Sequence, residues 1–154
     1  MRKSKLMRIL FPIVTTVFIL FIFSNSLQNG TDSGSRSGFA VQLLEGFLRF
    51  WGISAEIPEF FVRKGAHFTE YFILGLLLLS TLRTYSNAWI RQIFIPLFWG
   101  LAVPVCDEFL QLFVPGRSGQ VSDVVLDFSG VVSGMAVLAV FFLLWEKRKR
   151  KTVL

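Results

Sequence analysis

Apolar residues run nearly unbroken through four stretches of this chain, from about Ile9 to Leu27, Ala66 to Leu82, Gln92 to Val114 and Val124 to Trp145. Each is close to the roughly 20 helical residues needed to cross a hydrocarbon layer about 30 Å thick. The interval from Gln28 to Gly38, QNGTDSGSRSG, is polar and glycine-rich, offers nothing to bury and predicts a flexible outer loop. After it, Ala40, Leu43, Leu44, Phe47, Leu48 and Trp51 recur at helical spacing, with Gln42, Glu45 and Arg49 on the other side. That pattern predicts an amphipathic helix too short to span, lying along the membrane surface or capping the bundle. The expected fold class is all-α: an integral membrane bundle of four transmembrane helices with a short amphipathic interfacial helix on the outer side. It forms one domain over residues 1–154, with no internal repeat.

Composition supports lipid as the solvent. Apolar residues make up 53% of the chain, charged residues only 17%, and Phe alone occurs 18 times. A net charge of +6 would suit nucleic acid, but the basic residues stand where membrane topology puts them. No nucleic-acid partner is expected. Arg2, Lys3, Lys5 and Arg8 precede the first span, Arg83 and Arg91 separate the second from the third, and Lys147 to Lys151 follow the fourth. Fewer basic residues, Arg36, Arg49, Arg63, Lys64 and Arg117, fall on the alternate side. The positive-inside rule therefore predicts a multi-pass protein of the bacterial cytoplasmic membrane with both termini cytoplasmic. Every acid except Glu146 belongs to the outer loops or the outward helix ends. The first span also has features of a cleaved signal peptide, a basic start before an apolar run and the small pair Ser24 and Ser26. The lack of an Ala-x-Ala site, and a small bundle's need for a fourth wall, favour a retained span. Cys106, the single cysteine, lies in an apolar segment and reads as a small core residue.

Ionisable groups inside membrane spans are expensive, so their placement is informative. Lys64, His67 and Glu70 stand at i, i+3 and i+6 where the second span enters, with Tyr71 one turn from His67. Asp107, Glu108 and Gln111 share a face with Pro104 near the end of the third span. Asp123 and Asp127 open the fourth, followed on the same stripe by Gly130 and Gly134, whose spacing lets helices approach closely. At about 1.5 Å per residue, Asp107 stands about 24 Å of helix above Arg91, near the outer edge of the hydrocarbon. Three helices thus place polar side chains at one depth, and Pro104 predicts a kink that widens the outer mouth. A structural reading stands beside this one: Asp123 and Ser122 capping the fourth helix, glycines that only pack, and a salt-bridge network of Arg63, Lys64, His67 and Arg117 with the acids. Tying three helices needs only one or two pairs, and burying more charge usually lowers stability.

These residues carry a resemblance. The strings RKGAHFTEY from Arg63 to Tyr71, followed by Leu74 and Gly75, DEFLQ from Asp107 to Gln111, running on to Pro115, Gly116 and Arg117, and then Asp123, Asp127 and Gly130 resemble the VanZ-like family of small bacterial membrane proteins. Ser24 and Ser26 are a weaker match, and residues 28–60 are not diagnostic. The resemblance implies a link to the cell envelope and to low-level resistance to lipid-tailed glycopeptide antibiotics such as teicoplanin, but it brings no established reaction. It also implies ten functional positions: Lys64, His67, Glu70, Tyr71, Asp107, Glu108, Gln111, Arg117, Asp123 and Asp127.

Three functions fit this set. The first is a binding site for a lipid or amphiphile headgroup at the outer face, with those ten residues as ligands' partners and a cell-wall precursor lipid as a natural occupant. The second is a membrane-embedded hydrolase or transferase acting on a lipid. There, His67 and Glu70 with Asp107, Glu108, Asp123 and Asp127 would ligate one or two metals, or His67 would act as a general base. The third, a proton- or cation-coupled transporter, lacks a polar path through the inner halves of the helices. Headgroup binding is the primary expectation. Catalytic residues, cofactor and oligomeric state are not specified by the sequence.

Overall fold

The computed structural model describes residues 5–86 and 88–152, with side chains for all of these but 30–33, 36 and 150–152. Arg2 and Lys3 of the charge pattern lie outside the described residues, as do the side chains of Arg36, Arg150 and Lys151. Five α-helices follow one another: α1 (Lys5–Ser26), α2 (Gly30–Phe50), α3 (Glu59–Tyr85), α4 (Phe94–Gln111) and α5 (Val121–Thr152), with a short 3-10 turn at Trp89–Gln92 leading into α4. Four segments are long and apolar enough to cross a membrane: Lys5–Ser26, Glu59–Tyr85, Trp89–Gln111 and Val121–Lys149. This is a multi-pass membrane protein, and large apolar side chains such as Val17, Leu20, Phe98, Val105, Val125 and Phe141 face outward from its helices.

The interval 28–38 departs from expectation. It is not a loop: α2 begins at Gly30 and runs through it. Gly and Ser cost a helix about 1 kcal/mol or less apiece, and α2 packs on α3, while further along Glu45 Oε1 accepts the backbone N–H of Ile57 at 3.1 Å. Its end is a Schellman cap: the N–H of Ile53 reaches the carbonyl of Leu48 and that of Gly52 the carbonyl of Arg49, with Gly52 at φ 75°. Cys106 is a second correction, being exposed rather than in the core. The inward face of α4 runs through Gly100, Val103, Pro104, Asp107, Glu108 and Gln111, and Cys106 lies off that stripe.

The core is built on α3 and α5. Tyr71, Leu74, Leu78, Leu79 and Leu82 of α3 meet Val131 and Met135 of α5, joined by Val103 of α4 and Ile22 of α1. These two helices approach backbone to backbone. A Cβ on Gly134 would stand 2.1 Å from the Phe72 carbonyl oxygen, one on Gly130 2.6 Å from that of Phe68, and one on Gly75 2.2 Å from that of Val131. Small residues at such crossings maximise packing where lipid supplies no hydrophobic drive.

The helices are tied at both ends of the bundle. Where α1 starts and α5 stops, Arg83 pairs with Glu146 at 2.5 Å and lies over the ring of Phe142, while the Tyr85 hydroxyl donates to the Arg8 carbonyl. Midway, the hydroxyls of Thr15 and Thr81 share a hydrogen bond of 2.9 Å across α1 and α3. The opposite end holds the polar residues.

Candidate functional site

The close α3–α5 crossing decides which side chains meet. Gly130 rests against Phe68, so Asp127, one turn earlier on α5, comes level with His67 on α3, and Asp127 Oδ2 lies 3.8 Å from His67 Nδ1. One turn nearer the bundle end, Lys64 forms an ion pair and hydrogen bond with Asp123. From α4, Asp107, Glu108 and Gln111 project inward, with Asp107 and Asp127 both fully buried. The Gln111 amide donates toward Glu108 Oε1 at 3.2 Å, Asp107 Oδ2 at 3.3 Å and Ser26 Oγ at 3.5 Å.

The segment after α4 folds back over this end. Val114 to Arg117 makes a turn, with Pro115 at its second position, Gly116 at φ 78° and the N–H of Arg117 reaching the Val114 carbonyl at 3.2 Å. A Cβ on Gly119 would stand 2.4 Å from the Glu108 carbonyl, and the N–H of Gln120 donates to Glu108 Oε2 at 2.9 Å. Glu108 therefore fastens the loop that presents Arg117. The Arg117 guanidinium donates to the Asn25 carbonyl at 3.2 Å, and Asn25 Nδ2 donates to Glu70 Oε1 at 3.1 Å. Partial burial pulls Arg117 below its ordinary pKa while Asp107 pushes it up.

Two cavities of about 130 and 270 Å³ open between these elements. Arg63, His67 and Arg117 line both; Lys64, Gln111 and Asp123 border the first, and Asn25, Glu70 and Ser37 of α2 the second. Among the described residues, neither Arg63 nor Arg117 forms an ion pair. Beneath the wall, five buried polar atoms lack a hydrogen-bond partner: His67 Nδ1, the Tyr71 hydroxyl, Asp107 Oδ1 and both carboxylate oxygens of Asp127. The site is thus a cationic mouth over an acidic floor.

All ten positions singled out from the sequence lie at this one end of the bundle, but not as a single shell. Of the six groups that the sequence offers to metals, His67, Asp107 and Asp127 bring ligand atoms within 4.8 Å of one another. Glu70 bonds to Asn25, Glu108 to Gln120 and Gln111, and Asp123 to Lys64. The proposed network of salt bridges is sparse here: among the described residues it has Lys64–Asp123 and, at 3.8 Å, His67–Asp127. Asp123, in the first turn of α5, is engaged by Lys64 and by the Ser122 hydroxyl. Asn25, Arg63 and Gln120 were not among the sequence-derived positions. Asn25 is polar at the end of the first span, and four alternating spans bring that end beside the start of the second. That signal was available.

A family model described as VanZ/LLP1 matches residues 11–143 of this chain, from within α1 to near the end of α5. The chain belongs to the VanZ/LLP1 family. No curated protein and no solved structure matches it. The VanZ/LLP1 match takes in all four spans in whole or part, and the whole polar end, including Asn25 of α1. VanZ/LLP1 membership therefore covers the complete set of side chains around the two cavities.

Proposed function

We propose that this protein binds the anionic headgroup of a membrane lipid or similar amphiphile in the cavities beneath Arg63 and Arg117. The observation that carries this reading is the pair of guanidiniums: both line both cavities, and among the described residues neither pairs with a carboxylate despite the acids around them. Planar guanidinium donors suit phosphate, and two of them on one wall leave charge to offer a ligand. Lys64 and His67 add donors, while Asn25, Gln111 and the acids offer partners to sugar or amide groups. Beside the second cavity, α2 exposes Phe39, Leu43, Phe47 and Trp51, side chains suited to the acyl boundary of a membrane surface.

The basic clusters at Lys5 and Arg8, Arg83 and Arg91, and Lys147 to Lys149 favour cytoplasmic termini. On that orientation the site lies in the outer leaflet of a bacterial cytoplasmic membrane, where cell-envelope precursor lipids expose phosphate and sugar. A protein that sequesters or presents such a lipid would account for tolerance to glycopeptides that act at the same surface. Native mass spectrometry of detergent-purified protein tests the reading, with wild type beside Arg117→Ala and Glu108→Ala. Wild type is expected to retain a phosphate-bearing lipid and both variants to lose it, Glu108→Ala because the Arg117 loop is released. Absence of any such lipid from wild type, or equal retention in all three proteins, refutes the proposal. Terminal reporter fusions check the orientation.

A further inference from the structure

The cavities do not account for the floor beneath them. Asp127 is fully buried, and neither of its carboxylate oxygens accepts a hydrogen bond. Asp107 is also fully buried, with Oδ1 unpartnered, and His67 Nδ1 faces them without a partner of its own. These residues come from three different helices, α3, α4 and α5, yet offer one ligand atom each within a 4.8 Å span. A buried carboxylate with no donor, Asp127, beside a second that has one oxygen unpartnered is costly to a fold and calls for a compensating positive charge. Among the described residues, none of the neighbouring Arg63, Lys64 and Arg117 forms an ion pair with Asp107 or Asp127: Lys64 pairs with Asp123, and Arg117 donates to the Asn25 carbonyl.

We propose that His67, Asp107 and Asp127 hold one divalent transition-metal ion beneath the headgroup cavities. One imidazole nitrogen and two carboxylates form a donor set suited to zinc, manganese or iron more than to magnesium or calcium, which favour all-oxygen sites. Bonds of about 2.0–2.2 Å require the three ligand atoms to draw closer than their present spread, a movement of side-chain torsions on a fixed backbone. The backbone is well fixed here, since Gly130 of α5 lies against α3 between the levels of His67 and Phe72. His67 is the one member of the trio in the cavity walls. Three protein ligands leave coordination positions for water or an anionic oxygen, so the ion would add its charge to the same pocket that Arg63 and Arg117 line. The Tyr71 hydroxyl, buried and unpartnered, is available to a ligating carboxylate as an outer-shell donor.

The site does not depend on the headgroup reading, and one experiment separates them. The full chain is purified in detergent without chelators, and its metal content is measured by inductively coupled plasma mass spectrometry. The protein is then stripped with chelator and titrated with Zn²⁺, Mn²⁺ and Mg²⁺ while its melting is followed. Wild type is expected to carry about one ion per chain and to melt higher with Zn²⁺ or Mn²⁺ but not with Mg²⁺. His67→Ala and Asp127→Asn are expected to weaken retention about 10- to 100-fold or more, and Arg117→Ala to keep the metal while losing lipid. Should Asp127→Asn fail to fold, the melting titration of wild type and the His67→Ala comparison decide. No ion in wild type together with no response to Zn²⁺ or Mn²⁺ overturns the proposal, as does equal metal retention in wild type and His67→Ala. A buried water in place of the ion predicts that first result.

Discussion

Gly134→Ala is the sharpest test of how this bundle is held together. The added Cβ would stand 2.1 Å from the Phe72 carbonyl oxygen and 3.0 Å from its carbon, both main-chain atoms that no rotamer can move. Relief requires α3 and α5 to part by on the order of 1 Å, and a gap of that size forfeits about a quarter to a half of the dispersion attraction between facing atoms. Each atom pair contributes only about 0.1–0.2 kcal/mol. The α3–α5 seam is the most extensive helix contact in the protein, however, and its core members Tyr71, Leu74 and Val131 are fully buried. Over such a seam the loss sums to about 1–3 kcal/mol, the usual cost of overpacking a well-filled interior. Gly65→Ala supplies the control, because a Cβ there meets nothing within 4 Å. It should lie within about 0.5 kcal/mol of wild type, or gain slightly from helix propensity. Unfolding in mixed detergent and sodium dodecyl sulfate micelles, followed by the fluorescence of the 4 tryptophans, measures both. If Gly134→Ala and Gly65→Ala unfold at the same detergent composition, the helices are not in backbone contact and the placement of Asp127 beside His67 loses its cause.

Two further substitutions probe ties away from the site. Thr81→Val removes the 2.9 Å hydroxyl contact with Thr15 while keeping shape, and the same unfolding assay should register about 0.6 kcal/mol, the mean for interhelical hydrogen bonds in membrane proteins. Arg83 combines an ion pair to Glu146 at 2.5 Å with guanidinium contacts 4.4 Å above Phe142 and 5.4 Å above Trp89. Arg83→Ala should therefore cost about 1–2 kcal/mol. Arg83→Lys should recover only part of it, since an ammonium cannot stack and bond in a plane at once.

The spans were legible because length and apolarity are one-dimensional properties, and each of the four expected stretches lies largely on one helix. Their limits moved outward where polar turns continue a helix past the hydrocarbon, as when α3 starts at Glu59 instead of Ala66. The helix through residues 30–38 was missed because glycine and serine read as breakers. Local propensity is a weak guide when the rest of the helix is docked on a neighbour. The gathering of the polar residues at one end of the bundle was likewise readable, since rise per residue fixes height along each helix. Rotation about each helix axis was not. Whether Glu70 or Asp107 would face His67 depends on how α3 and α4 turn against their neighbours, which is settled by tertiary packing at Gly75, Gly100 and Gly130. The same ignorance placed Cys106 in the core, when a shift of one position from Asp107 turns a side chain away from it.

Polar burial in this small bundle is lopsided. Ser26, Asp107, Glu108, Gln111 and Asp127 are buried at one end, while the other buried polar residues, Thr15 and Thr84, are neutral hydroxyls with hydrogen bonds to the chain. An end filled with carboxylates cannot hold itself together by apolar packing, so its geometry has to be imposed from next door. The glycine seam does that: Gly130 stands three residues from Asp127 and against Phe68, the neighbour of His67. Bringing the backbones into contact there sets Asp127 in the bundle interior, where it is fully buried. Gly130 thus lies at the level where Asp127 meets His67, and Gly134, one turn further along, makes the closer contact that holds the same crossing. Two residues of one stripe thus serve the fold in different ways: the closest approach, at Gly134, lies about two turns from Asp127, and the looser contact at Gly130 is the one beside the charge.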